Sequence, residues 1–207
     1  MNTRRAFCLA VASAVPALRA TEAVPPLVRE VRQRLTAEPV VRGAFEQRKL
    51  VKGFRNPLAS AGDFVVSRQH GVLWRTREPF ASMLVVTRER VLARQGDGAV
   101  ARVLSASEEP AVRAVSETLF GVMAADLALL AQRFTVGGEL LANGGWRLAL
   151  LPRDATLARW VQRVELEGDR FLRAVHLHEG SGDQTRIRLA QHATDSALRA
   201  DEEAQFA

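Results

Sequence analysis

Apolar and polar residues alternate along short segments of this chain, and the alternation restarts after nearly every turn sequence. From Val40 to Val51, Val41, Gly43, Phe45 and Gln47 fall on one side, with Arg42, Glu46 and Arg48 on the other. A period of two is that of a strand with one buried face. Three further strands are expected at Ser60–Arg68, Val72–Arg77 and Phe80–Arg88, separated by Gln69-His70-Gly71 and Glu78-Pro79. Their alternation puts Gly62, Phe64, Val66 and Arg68 on one face, then Val72, Trp74 and Thr76, then Phe80, Ser82, Leu84 and Val86. Strands return from Arg133 onward as RFTVGGELL, GGWRLALLP, RWVQRVELEG, RFLRAVHLHEG and QTRIRLAQ. The turns Asn143-Gly144-Gly145, Glu167-Gly168-Asp169 and Gly180-Ser181-Gly182-Asp183 are hairpin signals. The tail RADEEAQFA is polar and expected to fray.

Two stretches break the period. In LVREVRQRL, Leu27, Val31 and Leu35 recur at helical spacing. Between Glu108 and Gln132, Val112, Val115 and Leu119, then Leu127 and Leu130, do the same, with Gly121 expected to divide two short helices. An antiparallel sheet of eight or more strands with one apolar face cannot remain flat and open. The expected fold is α+β: a strongly curved antiparallel sheet, or half-barrel, capped by the N-terminal helix and the mid-chain helical pair.

Residues 1–23 have the layout of an export signal: cations at Arg4 and Arg5, an apolar stretch from Ala6 to Leu18, and small residues suited to cleavage after Ala23. Thr3-Arg4-Arg5-Ala6-Phe7 also resembles the twin-arginine motif, and Sec export fits equally. Residues 24–207 would then be a single exported domain. Cys8 lies inside the signal and lacks the Leu-x-small-Cys pattern of lipid attachment, so the remaining chain has no thiol and no expected anchor. No uninterrupted apolar run reaches the roughly 18 residues of a spanning helix. The formal charge of +6 rests on 29 basic residues, of which only Lys49 and Lys52 are lysines. They are spread evenly, and the signal accounts for two net positive charges, so no nucleic-acid stripe is expected.

Catalytic motifs are absent: there is no Gly-x-Ser-x-Gly, phosphate loop, Gly-x-Gly-x-x-Gly or His-Glu-x-x-His. His176-Leu177-His178 places two imidazoles on one side of a strand, but its third ligand is open between His70 and His192. A solvated strand face is the expected reading, with no metal, no cofactor and no enzymatic activity. A zinc-dependent hydrolase would instead predict stoichiometric zinc.

The run VRGAFEQRKLVKGFRNPLASAGDFVVSRQHGVLWRTREPFASMLVVT, from Val41 to Thr87, resembles the N-terminal half of LolA-type periplasmic lipoprotein carriers. Its Phe45-Glu46-Gln47, Gly62 to Arg68, Val72-Leu73-Trp74, Pro79 and Ser82 to Val86 follow that family's order. Gln69 stands where better-known carriers place proline, and their final strand has no counterpart recognisable after Ala190, so a divergent subfamily is expected. The resemblance implies an incomplete β-barrel, LolA/LolB-like, lidded by helices, that carries acyl chains of a lipoprotein or other lipid across the periplasm. It implies an inner-membrane exporter as donor and an outer-membrane acceptor, and a monomer is expected.

The resemblance makes Arg68 the lid latch, expected to reach the helical segment near residues 119–130. Cavity-lining positions are Phe45, Phe64, Val66, Val72 and Trp74 on the early strands and Phe80, Leu84 and Val86 on the strand after Pro79. The lid would add Leu119, Phe120, Met123, Leu127 and Leu130. Two other uses remain open: a lipid- or partner-sensing module without transfer activity, and an ordinary core in which these side chains only pack.

Overall fold

The computed structural model describes residues 25–96, 100–105, 121 and 126–206. The expected signal at 1–23 and the lid positions Leu119, Phe120 and Met123 lie outside them.

Helix α1 (Pro26–Arg34) starts on a proline, whose missing N–H is among those a first helical turn leaves unpaired anyway. It buries Val28 and Val31 and keeps Arg29 and Arg32 outside. Strand β1 (Val40–Leu50) leads into a meander of β2 (Leu58–Ser67), β3 (Gly71–Glu78), β4 (Ser82–Val86), β5 (Arg90–Gln95) and β6 (Val100–Ser105). Helix α2 (Leu127–Arg133), capped by the Asp126 carboxylate accepting from Leu129 N–H, precedes a second meander. That meander runs β7 (Phe134–Leu140), β8 (Trp146–Pro152), the short helix α3 (Ala155–Ala158), β9 (Val161–Gly168), β10 (Leu172–Glu179) and β11 (Gln184–Asp195). A last helical turn, α4 (Ala200–Glu203), follows.

All strands belong to one 11-stranded antiparallel sheet in the order β6-β5-β4-β3-β2-β1-β11-β10-β9-β8-β7. Among the described residues the two meanders pair along the β1–β11 seam, where Phe45 faces Leu189, and the edges β6 and β7 do not pair with each other. The sheet is therefore an unclosed barrel rather than a closed one. Its inner face carries the main core, in which Phe45, Phe64, Val72, Trp146, Leu150 and Leu166 pack with Val28 and Val31 of α1 and Leu127 and Leu130 of α2.

The outer face of the first meander carries a second core. Val40, Val65, Leu73, Val85 and Leu92 alternate with the inner residues and are sealed by Leu198 and Phe206. The C-terminal tail is therefore a cover and not a frayed end: Glu202 is 1% exposed and bonded to Arg42. Strands β5 and β6, which the alternation did not single out, extend the sheet beyond β4, and β11 continues past Ala190 to Asp195.

Phe80 leaves the expected cavity set. The β3–β4 ladder ends at the pair Thr76 and Ser82, so residues 79–81 form a turn to which the alternation does not apply, and Phe80 is 82% exposed. Arg68 likewise falls past the end of β2, in the turn at 68–70, with an exposed side chain. Gly121 is described as helical backbone and the next described helix begins at Leu127, while the residues on either side of Gly121, where the expected first helix falls, lie outside the described ones.

Candidate functional site

The inner face places most of the expected cavity residues together. Phe45 stacks on Trp74 from two strands away with ring centroids 3.8 Å apart at 23°, and Phe64, Trp74's direct partner across the β2–β3 ladder, lies 6.2 Å from it. Val66, Val72, Leu84 and Val86 continue this surface, and Leu127 and Leu130 of α2 close on it. Three aromatic rings from β1, β2 and β3 thus make one slab, because consecutive antiparallel strands bring non-adjacent inner positions side by side. Trp74, Leu84, Leu129, Val136, Leu177 and Ile187 stay only partly buried on this side. The inner face is thus apolar beyond what the core fully encloses. The second meander supplies half of it through Trp146, Leu148, Leu166, Val175 and Leu189, residues that the alternation marks but the resemblance did not reach.

At the end of the barrel where β2 turns into β3, the connection between α1 and β1 crosses the opening. Arg68 Nη2 donates to the Thr36 carbonyl at 2.6 Å and Nε to the Glu38 carbonyl at 3.2 Å. Thr36 N–H in turn donates to the Arg170 carbonyl, 2.8 Å away in the β9–β10 turn. The connection is thus strapped to both meanders at once. Arg34 Nη1 fastens the end of α1 to the Gly145 carbonyl, at 2.5 Å. Among the described residues Arg68 grips residues 36–38, and most of the segment near 119–130, to which the expected latch would reach, lies outside them. Backbone carbonyls carry no sequence signature, and nothing in the residue types could have named Thr36 and Glu38.

Beneath the strap is a recess of about 40 Å³, lined by Leu35, Val41, Phe64, Arg68, Phe171 and His192 among others. It has room for a few water molecules at most, since one water takes about 10–15 Å³ by the same measure. His192 stacks on Phe171 at 4.6 Å and meets Phe64 edge-on at 5.7 Å. Burial lowers its pKa, and the guanidinium of Arg173, 3.0 Å from Nδ1, adds to that, so a neutral imidazole faces the recess. The lining is aromatic and aliphatic, with Arg68, Arg170 and Glu38 as its charged members.

On the outer side of β9 and β10, Glu165, His176 and His178 have ligand atoms within 4.8 Å of one another. The third partner for the two histidines is thus Glu165, across the ladder, and not His70 or His192.

Residues 20–207 match the family described as outer membrane lipoprotein carrier protein LolA-like. Among solved structures, an outer membrane lipoprotein-sorting protein domain from Vibrio parahaemolyticus superposes with a TM-score of 0.50 at 8% identity, covering 87% of this chain and 96% of that one. A LolA superfamily protein from Nitrosomonas europaea gives 0.48 at 9% identity, covering 84% and 94%. The MucA/MucB complex of Pseudomonas aeruginosa gives 0.46 at 18% identity, covering 87% of this chain and 60% of that one. A search of the curated proteins finds no match. The Vibrio parahaemolyticus domain shares the fold, and the other two likenesses are weaker.

Proposed function

The chain belongs to the LolA-like family of outer membrane lipoprotein carrier proteins, and from that premise we propose that it is a periplasmic carrier that holds acyl chains of a lipoprotein or other lipid against its inner face. The observation that carries this reading is the aromatic slab of Phe45, Phe64 and Trp74, extended by inner-face side chains that remain only partly buried. Each CH₂ moved from water onto such a surface contributes about 0.8 kcal/mol. A long acyl chain therefore gains enough to displace α1 and the strap. Loading requires that displacement, because the recess under the strap is smaller than any acyl chain.

On this reading residues 1–23 direct export and are removed, and residues 24–207 act as a monomer. Among the described residues no helix is long and apolar enough to cross a membrane. Phe54, Phe80 and Trp160 on loops, and Leu58 at the start of β2, are exposed at the end of the sheet opposite the strap. Exposed apolar groups gathered at one end are where a donor in the inner membrane and an acceptor in the outer membrane would dock.

The packed interior favours a second reading, a module that senses a lipid or a partner without transferring it. The two readings diverge in one experiment. Donor vesicles holding a fluorescent diacyl lipopeptide are mixed with unlabelled acceptor vesicles, with and without the protein. A carrier accelerates exchange in proportion to its concentration, and a doxyl-labelled fatty acid quenches the fluorescence of Trp74 but not that of a Trp74→Phe variant. Trp74 quenching without exchange would select the sensor, and neither effect would reduce the inner face to an ordinary core.

A further inference from the structure

We propose that Glu165, His176 and His178 form a binding site for a divalent transition-metal ion of the zinc and copper class on the outer face of the sheet. His176 and His178 are two residues apart on β10 and project to the same side, and Glu165 stands opposite His176 on β9. Glu165 Oε2 is 3.4 Å from His176 Nδ1, and the two imidazole centroids are 4.1 Å apart, tilted at 42°. One donor atom from each of the three lies within 4.8 Å of the others, close enough for modest side-chain rotations to bring them onto one ion.

A plain solvated face does not account for His178. Its Nε2 is shut off from solvent and has no hydrogen-bond partner, a condition few buried polar atoms tolerate. A metal ion supplies the missing partner. Two imidazoles and one carboxylate, with other positions left to water, suit zinc or copper, whereas magnesium and calcium ask for oxygen donors throughout.

The surroundings position the ligands. Arg163 Nε holds Glu165 Oε1 at 2.9 Å, which leaves Oε2 facing His176. Arg186 Nε makes only a long contact, 3.4 Å, to His176 Nε2. A groove of about 420 Å³ opens beside Glu165 and His176, its walls carrying the further carboxylates Glu46 and Glu167 and the guanidinium groups of Arg48, Arg186 and Arg188. Val175 and Leu177, beside and between the two histidines, point to the inner core, so an ion would clamp β9 to β10 without touching the acyl-binding side.

The test uses the purified exported chain dialysed separately against Zn²⁺, Cu²⁺ and Mg²⁺, with bound metal counted by mass spectrometry. The expected result is one zinc or copper ion per chain and no magnesium, weakened about tenfold or more in each of Glu165→Gln, His176→Gln and His178→Gln. Zinc should also raise the melting temperature of the wild type and of none of the three variants. Substoichiometric zinc and copper, or unchanged affinity in Glu165→Gln or His178→Gln, overturns the proposal. Should a variant misfold, imidazole NMR of the wild type decides: zinc-induced shifts confined to His176 and His178, of the four histidines, support the site. Shifts at His70 or His192 refute it.

Discussion

Arg42 and Glu202, 160 residues apart in sequence, form a two-point ion pair: Nε donates to Oε1 at 2.8 Å and Nη2 to Oε2 at 2.5 Å. Glu202 is 1% exposed and also accepts from the Arg199 N–H, while Arg42 makes a second contact to Asp195 at 3.3 Å. The pair ties α4 to β1. It thereby holds Leu198 and Phe206 over the second core on the outer face.

Removing one partner of a buried pair leaves an uncompensated charge, and such losses run to about 3–5 kcal/mol. Glu202→Ala should fall near the lower end, about 3 kcal/mol, because Asp195 remains to Arg42. The hydrogen bond from Arg42 is the largest influence holding the Glu202 carboxyl below the ordinary carboxylate range, against the opposing effect of burial. A depressed folded-state pKa gives stability that is complete above the unfolded value, about 4.3, and is lost as pH falls through the folded value. Urea titrations of the wild type should therefore show stability declining below about pH 5. That decline should shrink in Glu202→Gln, and an unchanged acid profile in the variant would count against the pair.

Gly62 is a position in the sheet with no room for a side chain. A methyl group there would lie 1.9 Å from the Arg75 carbonyl oxygen and 2.9 Å from Phe45 Cε1, at a bulge in the β2–β3 ladder. Gly62→Ala should destabilise the protein by about 1–3 kcal/mol through overpacking. It should also weaken quenching of Trp74 by a doxyl fatty acid, because Phe45 carries the stack on Trp74. Gly137→Ala, where a methyl group meets nothing within 4 Å, should move stability by no more than about 0.5 kcal/mol in either direction. Equal effects from the two substitutions would show that the close approach at Gly62 is not what matters.

Much of this architecture is legible in the sequence, for identifiable reasons. Inner positions such as Phe45, Phe64, Val66, Trp74 and Leu84 obey period two because one face of each strand meets the core, and the LolA-like order of motifs supplies the unclosed barrel. What the alternation could not convey is that the first meander is buried on both sides. Val65 and Leu73 look like the solvent face of their strands until the tail is folded over them, and the Arg42–Glu202 pair joins two residues that read separately as ordinary surface charges. Phe80 misled because alternation was extended into a turn where the ladder has already ended. Glu165 was invisible as a partner to His176 because a cross-strand register is a property of pairing and not of spacing along the chain.

Arg68 allows the strap to be separated from the core it covers. Its two bonds end on backbone carbonyls at an exposed site, so its removal should leave the fold intact and loosen only residues 36–38. A net contribution of about 0.5–1.5 kcal/mol per bond corresponds to a fall of roughly tenfold in local protection. The sensitive reporter is the Thr36 amide, which donates to Arg170 across the opening and should be protected from exchange only while the strap is closed. Arg68→Leu should therefore speed exchange at Thr36 about tenfold while amides of β1 and β11 keep wild-type rates. If the strap gates the inner face, the same variant takes up and releases a fluorescent fatty acid faster, and Arg68→Lys, able to reach one carbonyl at a time, falls between. Wild-type exchange at Thr36 in Arg68→Leu would show that Arg34 and Arg170 hold the connection without it. A loosened Thr36 with unchanged fatty-acid kinetics would leave the strap intact as structure and remove it as a gate.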